Sequence, residues 1–398
     1  MRICIMCDSL AAGKGGAERV AARLCNELAD EGHEVWVAYK ETGRPPAYTI
    51  DAAVGQIPYS VGKGWEVRLR KVLEELELDI CQIFYFNRRL FKYLRSCPKD
   101  VSITLQECTT PDRIIRNWRV GTKLSETGAR WEREIALSCA SRIRFTRHEF
   151  VDSVPSDIQA KVSVFFNSYE RHNLVANVGI PGGDGLYRVI FIGGMKANKN
   201  LLFFLEAFSQ LKELHDRWVI DVFGTIPSSW QGGYADKVMD FIEERALDDN
   251  VFFHGEVDHI YEKYAQAHIH VITSLEENFS LSTLEAMSCG VPTVGMNCCA
   301  GVRELVAQNE NGLLVDSIED SSDLRESLKT LMEDDTLRAR FGKKAVVDAK
   351  QYGPEQFRKN WMDFFKSVGN SEKTVCSGRG IKKEMVMHRQ RMLSSIIG

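Results

Sequence analysis

The feature that most restricts how this chain can fold is an alternation carried along most of its length: a short apolar run, a loop, then a segment with helical periodicity. Residues 3–7 read as a strand. Residues 17–31 read as a helix with Val20, Leu24 and Leu28 on its apolar stripe and Gly32 as its stop, and 35–39 as the next strand. Further apolar runs at 79–86, 101–105, 142–146 and 162–166 are interleaved with helical stretches such as 65–76 and 132–139. Strands that are apolar throughout and alternate with helices belong to a doubly wound parallel sheet covered on both faces. The alternation breaks at 168–185, where Pro181-Gly182-Gly183-Asp184-Gly185 is the best linker, and restarts with strands at 188–192, 219–223, 251–253, 269–272, 293–296 and 312–315.

The expected architecture is therefore α/β, with two Rossmann-like domains facing across a cleft. Residues 1–170 form the first domain, 171–187 the linker and 188–366 the second domain. A basic tail, 367–398, follows and is expected to be flexible. A chain of 398 residues is long enough to bury two such cores.

Composition removes several classes of function. A formal net charge of -4 gives no basis for nucleic acid as the main partner. No apolar run approaches the ~20 residues of a membrane span. Met1-Arg2-Ile3-Cys4 enters a strand directly, without the apolar segment of a secretory leader, so a cytoplasmic location is expected. Eleven cysteines, an odd number, suit a reducing compartment. Cys4-x-x-Cys7 lies along a strand and Cys298-Cys299 has no second pair at zinc spacing, so these thiols read as buried hydrophobes and no metal ligands are expected.

Chemistry concentrates at strand-to-helix turns. After the run 269–272 comes a polar loop, and a helix opens around Ser280 to Ser282 and closes at Gly290 before Pro292. The N–H groups of Phe279, Ser280 and Leu281 at such a helix start suit a diphosphate or a sugar hydroxyl. Glu277 and Glu285 flank it in an E-x7-E spacing, and a carboxylate can accept two hydrogen bonds from a vicinal diol. Ser282 with Glu285 equally matches a capping box, in which Glu285 only ties off its own helix. Lys196 and Lys199 follow Gly193-Gly194 at another such turn and can neutralise a diphosphate, although solvated surface lysines are common. Gly13, Gly15 and Gly16 sit in a loop that is neither a dinucleotide fingerprint nor a Walker loop, yet can bring bare N–H groups to a phosphate. Glu107, at a strand end, reads by position as a loop carboxylate that caps or is solvated. His254, His268 and His270 read as packing or rim residues.

Taken together, "EENFSLSTLEAMSCGVPTV", "GGAERV…LADEGHEV", "VFFHGEV" and "NGLLV" resemble the segments of retaining GT-B glycosyltransferases of family 4, over roughly residues 1–365. Departures stand inside the resemblance, two of them at residues expected in the site. Asn278 replaces a usual glycine, and Gly194 falls where the family's G-R-x-x-x-x-K-G segment has its arginine, while Lys199 falls on its lysine. The resemblance implies a nucleotide-sugar donor as substrate, no cofactor and no metal. It puts Lys199, helped by Lys196 and the backbone of Gly15, Gly16 and Gly194, on the departing diphosphate. Glu285 would hold the ribose and Glu277 the transferred sugar, with Asn278 beside it, and Glu107 becomes a candidate catalytic group. The acceptor implied is a glycan or polyprenyl-diphosphate-linked glycan in cell-surface polysaccharide synthesis, with residues 1–170 expected to bind it and residues 188–366 to bind the nucleotide sugar. A nucleotide-sugar epimerase of the same two-domain plan and a non-catalytic nucleotide-sugar binder are the competing readings. Two basic-apolar stretches, 65–73 and 88–95, together with the tail, suggest peripheral contact with the anionic inner face of the plasma membrane; a solvated helix face is the alternative.

Overall fold

The computed structural model describes residues 1–10, 16–85, 87–120, 123–226 and 233–368. Contacts divide the chain into two units, one made of Met1–Phe166 with the helical residues from Phe357 onward, the other of Asn167–Gln356.

In the first unit the chain runs β1 (Arg2–Cys7), α1 (Gly16–Asp30), β2 (Glu34–Lys40), β3 (Gly55–Tyr59), α2 (Trp65–Glu74), β4 (Ile80–Tyr85) and α3 (Leu90–Ser96). It continues with β5 (Ser102–Glu107), α4 (Pro111–Arg119), α5 (Glu126–Ser138), β6 (Arg142–Phe145), α6 (Ser156–Gln159) and β7 (Val162–Val164). The seven strands are all parallel, in the order β3-β2-β1-β4-β5-β6-β7. β3 has no counterpart in the sequence reading. It is an edge strand carrying Pro58, which cannot donate to a ladder and is tolerated only there.

The second unit runs β8 (Tyr187–Ile192), α7 (Leu201–Ser209), β9 (Trp218–Phe223), α8 (Tyr234–Glu244), β10 (Val251–Gly255), α9 (Ile260–Gln266) and β11 (Ile269–Ile272). α10 (Leu281–Ser288), β12 (Thr293–Met296), α11 (Ala300–Arg303), β13 (Gly312–Val315), α12 (Ser322–Glu333) and α13 (Asp335–Ala349) follow. Its six parallel strands take the order β10-β9-β8-β11-β12-β13. Along β8 the side chains alternate between two cores. Tyr187, Val189 and Phe191 pack with Phe204, Trp218 and Leu328, while Ile190 packs with Tyr264 and Ala286 on the other face. Burial on both faces is why the strand reads as continuously apolar.

Two expectations about boundaries need correction. The stretch expected as a linker is strapped onto the second unit: Ala176 N donates to Cys289 O at 2.7 Å, Arg338 Nε to Val178 O at 2.9 Å, and His268 Nε2 lies 2.8 Å from Ile180 O. The last described helix, α14 (Pro354–Val368), expected in the second domain, places its aromatic face in the first unit. Trp361 meets the rings of Phe84 at 6.2 Å and Phe165 at 5.2 Å, and the Arg144 guanidinium sits 5.0 Å from its centroid. Burial pushes Arg144 down to about 9, and its hydrogen bonds to Gln106 Oε1 and Phe165 O offset part of the desolvation.

Candidate active site

In a doubly wound sheet, ligands bind beyond the carboxyl ends of the strands where the winding reverses, because successive loops there diverge and leave a crevice. In the second unit the reversal lies between β8 and β11. The segments that follow these two strands are 193–200 and 273–280, the two stretches singled out by their chemistry.

After β8 the chain turns through Gly193 (φ 152°) and Gly194 (φ 62°), whose N–H groups donate to Phe223 O at 2.8 and 2.9 Å. A Cβ on Gly194 would lie 2.3 Å from Thr225 O and 2.7 Å from Thr225 N, and one on Gly193 would lie 2.7 Å from Lys199 Cγ. Gly194 therefore serves backbone packing against the turn after β9. The arginine of the family pattern could not stand on this backbone. Asn200, where that pattern has glycine, adopts the same left-handed conformation (φ 53°, ψ 45°) that asparagine tolerates best among residues with a side chain.

These turns bring the two predicted groups together. Lys199 Nζ donates to Glu277 Oε1 at 2.5 Å, with about a fifth of each side chain exposed (23% and 19%). Thr273, at the end of β11, holds the lysine's turn: its Oγ1 lies 2.8 Å from both Lys199 O and Asn200 O. The glutamate's loop is held from the other side by α11, where a Cβ on Gly301 would lie 2.4 Å from Glu277 O. Asn278 has no left-handed φ, so the glycine usual in the family is not required by this backbone. Lys196 is exposed on the same turn.

The helix start differs from the expected one. Ser280 is the N-cap of α10 and its Oγ accepts from Thr283 N at 3.3 Å, so the Ser282–Glu285 capping box does not form. Ser280 N donates to Gly301 O at 3.2 Å, which removes it from the N–H groups expected to face a ligand. Phe279 is buried and packs edge-on to Tyr352 at 5.8 Å, while Leu281 opens the helix. Glu285, relieved of capping, is 3% exposed, and Tyr264 Oη lies 3.2 Å from its Oε2 and donates to Ser282 O at 3.0 Å.

Neighbouring thiols and imidazoles stay uncharged near neutrality. Burial, then the Glu277 charge, pushes Cys299 up to about 12, and burial pushes His270 down to about 3, with Lys199 adding to it. Among the described cysteines Cys298 is exposed, Cys108 half-buried and the rest buried.

In the first unit Glu107, expected as a candidate catalytic group or else as a capping or solvated carboxylate, is buried in an ion pair. It is 1% exposed at the end of β5, and it accepts from Arg133 Nε at 2.6 Å, Arg133 Nη2 at 2.7 Å and Tyr85 Oη at 2.7 Å. Gly16 is the first residue of α1, and Gly15 lies outside the described residues. Sequence reasoning missed Thr273, Tyr264 and Gly301. The last had a signal, a glycine in the first turn of a short helix that follows a strand.

Residues 180–347 match the family model "Glycosyl transferases group 1". The match falls within the second unit, Asn167–Gln356. The chain is 22% identical to an uncharacterized glycosyltransferase of Haemophilus influenzae over 367 residues, covering 87% of this chain and 95% of that protein. It is 27% identical, over 85% of its own length and 93% of the relative's, to the N-acetylgalactosamine-N,N'-diacetylbacillosaminyl-diphospho-undecaprenol 4-alpha-N-acetylgalactosaminyltransferase of Campylobacter jejuni. Among solved structures, HepE of Anabaena in complex with UDP superposes with a TM-score of 0.70 at 16% identity, over 92% of this chain and all of that one, a likeness of fold.

The close approach at Gly194 is directly testable. Gly194→Ala combines a left-handed φ, costing about 1–2 kcal/mol, with a backbone overlap, so a total of at least ~2 kcal/mol and a Tm lowered by roughly 4 °C or more is expected. An alanine variant as stable as wild type in a thermal melt would contradict this account of the missing arginine.

Proposed function

We propose that this glycosyltransferase moves a sugar, with retention of anomeric configuration and without a metal, from a nucleotide-sugar donor to a glycan or polyprenyl-diphosphate-linked glycan. One observation carries the reading: Lys199 and Glu277, separated by 78 residues in sequence, meet at 2.5 Å where the winding of the second unit reverses. A diphosphate entering the crevice supplies Lys199 with a new counter-ion and frees Glu277 to accept from hydroxyls of the transferred sugar. As the sugar–phosphate bond breaks, charge grows on the leaving oxygen. A lysine already fixed through Thr273 stabilises it without reorganising. Glu285, backed by Tyr264, is the carboxylate assigned to the ribose. Lys196, on the same exposed turn, adds a second cation in place of the family's arginine. The UDP complex of HepE makes UDP-sugars the first donors to try, and the diphospho-undecaprenol in the Campylobacter relative's name favours a lipid-linked acceptor.

The reading is tested by following product stereochemistry by NMR during turnover of a panel of UDP-, GDP- and ADP-sugars. The newly formed linkage should keep the donor's anomeric configuration, and the rate should survive excess EDTA because Lys199 carries the leaving-group charge. An inverted product, or a rate abolished by EDTA and restored by Mg²⁺ or Mn²⁺, would refute it.

We place the enzyme at an anionic membrane face through α2. No helix among the described residues is long and apolar enough to cross a membrane. Of the two basic stretches, the second is used within the fold. Arg88 pairs with Glu132 at 2.7 Å, Arg89 with Asp8 at 2.5 Å and Arg95 with Glu66 at 3.8 Å, while Leu90, Tyr93 and Leu94 are buried. In the first stretch Trp65, Leu69 and Leu73 are buried, which leaves Val61, Lys63, Val67, Arg68, Lys71 and Val72 exposed together. The basic tail lies outside the described residues. With each cation near an anionic surface contributing ~1 kcal/mol, Arg68→Glu with Lys71→Glu should lower co-sedimentation with anionic vesicles at low salt by more than about tenfold. Equal pelleting of variant and wild type would rule α2 out as the contact.

A further inference from the structure

The second unit also has a cavity at the other edge of its sheet, where the strands begin. The strap that leads into β8 and the last turn of α9 bound a space of about 460 Å³, within the roughly 300–1,000 Å³ of small-molecule sites. β8 has six residues, so at ~3.3 Å per residue this cavity lies about 20 Å from the donor crevice. The two are separate places.

The cavity's walls are fixed by hydrogen bonds. Arg188 N donates to His268 Nδ1 at 2.9 Å, so His268 Nε2 carries the proton that goes to Ile180 O at 2.8 Å. Burial pushes His268 down to about 4, which keeps the ring neutral and in this tautomer. The glycine-rich turn closes on itself: Gly182 N donates to Leu186 O and Gly185 N to Gly182 O, both at 2.9 Å, and Leu186 N donates to Asp184 Oδ1 at 3.1 Å. A stretch that reads in sequence as a plain linker is thus a built wall.

The lining is apolar on one side and charged on the other. Ile180, Pro181, Ala265 and Ala267 supply the apolar part, and Ile180 is 57% exposed, an unusual state for a large aliphatic side chain beside a cavity. Asp184 and Arg188 supply the polar part, with 44% and 25% of their side chains exposed. Arg188 Nη2 donates to Asp184 Oδ2, and Nη1 donates at 3.1 Å to Asp221 Oδ2, whose carboxylate also lies 2.6 Å from His254 Nε2. Two of the five guanidinium N–H groups are used in this way, which leaves three donors next to the lone pairs of Asp184. With two carboxylates already on Arg188, an anion gains little here, and a cation would lie against the guanidinium itself. An uncharged sugar ring fits both parts, its C–H face against the aliphatic side and its hydroxyls donating to Asp184 and accepting from Arg188.

We propose that this cavity is a second carbohydrate site, which holds one neutral sugar unit of a glycan through Asp184 and Arg188 and takes no part in the chemistry. The choice of a sugar among neutral polyols rests on the transferase reading above. The test follows the Ile180 methyl signal of the full-length, isoleucine-methyl-labelled protein by NMR, assigned by its loss in Ile180→Val. Methyl glycosides of glucose, galactose, N-acetylglucosamine and N-acetylgalactosamine, inorganic phosphate and spermidine are titrated in turn. At least one glycoside should shift the signal saturably. Asp184→Asn and Arg188→Lys should weaken that response at least about tenfold, the loss expected for a hydrogen bond to a charged group, and Ala265→Phe, which fills the cavity without changing charge, should abolish it. Calorimetric titration with UDP-sugars should give affinities within about twofold of wild type in all three variants, which also shows that they are folded. An Ile180 signal that no glycoside moves, one that responds to phosphate or spermidine in place of glycosides, or one that titrates equally in Ala265→Phe would overturn the site. Failure of the transferase reading would be seen separately, as wild-type protein that binds and consumes no nucleotide sugar.

Discussion

A parallel sheet sends the carboxyl ends of all its strands to one edge, and where the order of winding reverses, two loops must part. That topological constraint governs the rest of this molecule. In the second unit the parting loops follow β8 and β11, and they carry Lys199 and Glu277 into contact. In the first unit they follow β1 and β4 and carry Asp8 and Arg89 into contact. In each unit a cation and a carboxylate from opposite sides of the reversal meet in a partly exposed position, although no local sequence motif links the two members of either pair.

What fixes the pairs is backbone packing more than side-chain packing. The turn after β8 lies against the turn after β9 so closely that neither Gly194 nor Gly224 leaves room for a Cβ, which would fall within 2.3 and 2.7 Å of backbone atoms. Gly301 performs the same service for the loop carrying Glu277. Such contacts remove the freedom that would otherwise have to be given up when ligand binds, which is the physical content of a preorganised site. They also explain why an arginine is missing from a turn that otherwise keeps its lysine. Cation recruitment and close backbone approach compete for one position, and here approach prevails.

The alternation of apolar runs and helical segments made the two sheets legible, because parallel strands buried on both faces have no polar face to obscure them. β3 escaped notice since an edge strand with Pro58 needs neither an apolar run nor an unbroken ladder. Lys199, Glu277 and Glu285 could be singled out from turn position and resemblance together. Whether Glu285 capped its helix could not, because Ser280 and Ser282 are both competent caps and tertiary contact decides between them. The burial of Glu107 was not legible because its partner, Arg133, is 26 residues away and one strand end carries no sign of whether it will be solvated or buried. The home of α14 was hidden for the same reason: an aromatic face announces that it will be buried, but not in which unit.

The central claim is that Lys199, held by its turn and released from Glu277 by the donor, stabilises the departing diphosphate. Steady-state kinetics of Lys199→Ala, with the affinity for UDP-sugar measured in parallel, tests it most directly. The account predicts a fall in kcat of about 100-fold or more, the scale on which a preorganised charge acts on a transition state, with donor affinity changed only a few-fold. A variant with wild-type kcat and a defect confined to KM would place Lys199 in ground-state binding alone and contradict the account.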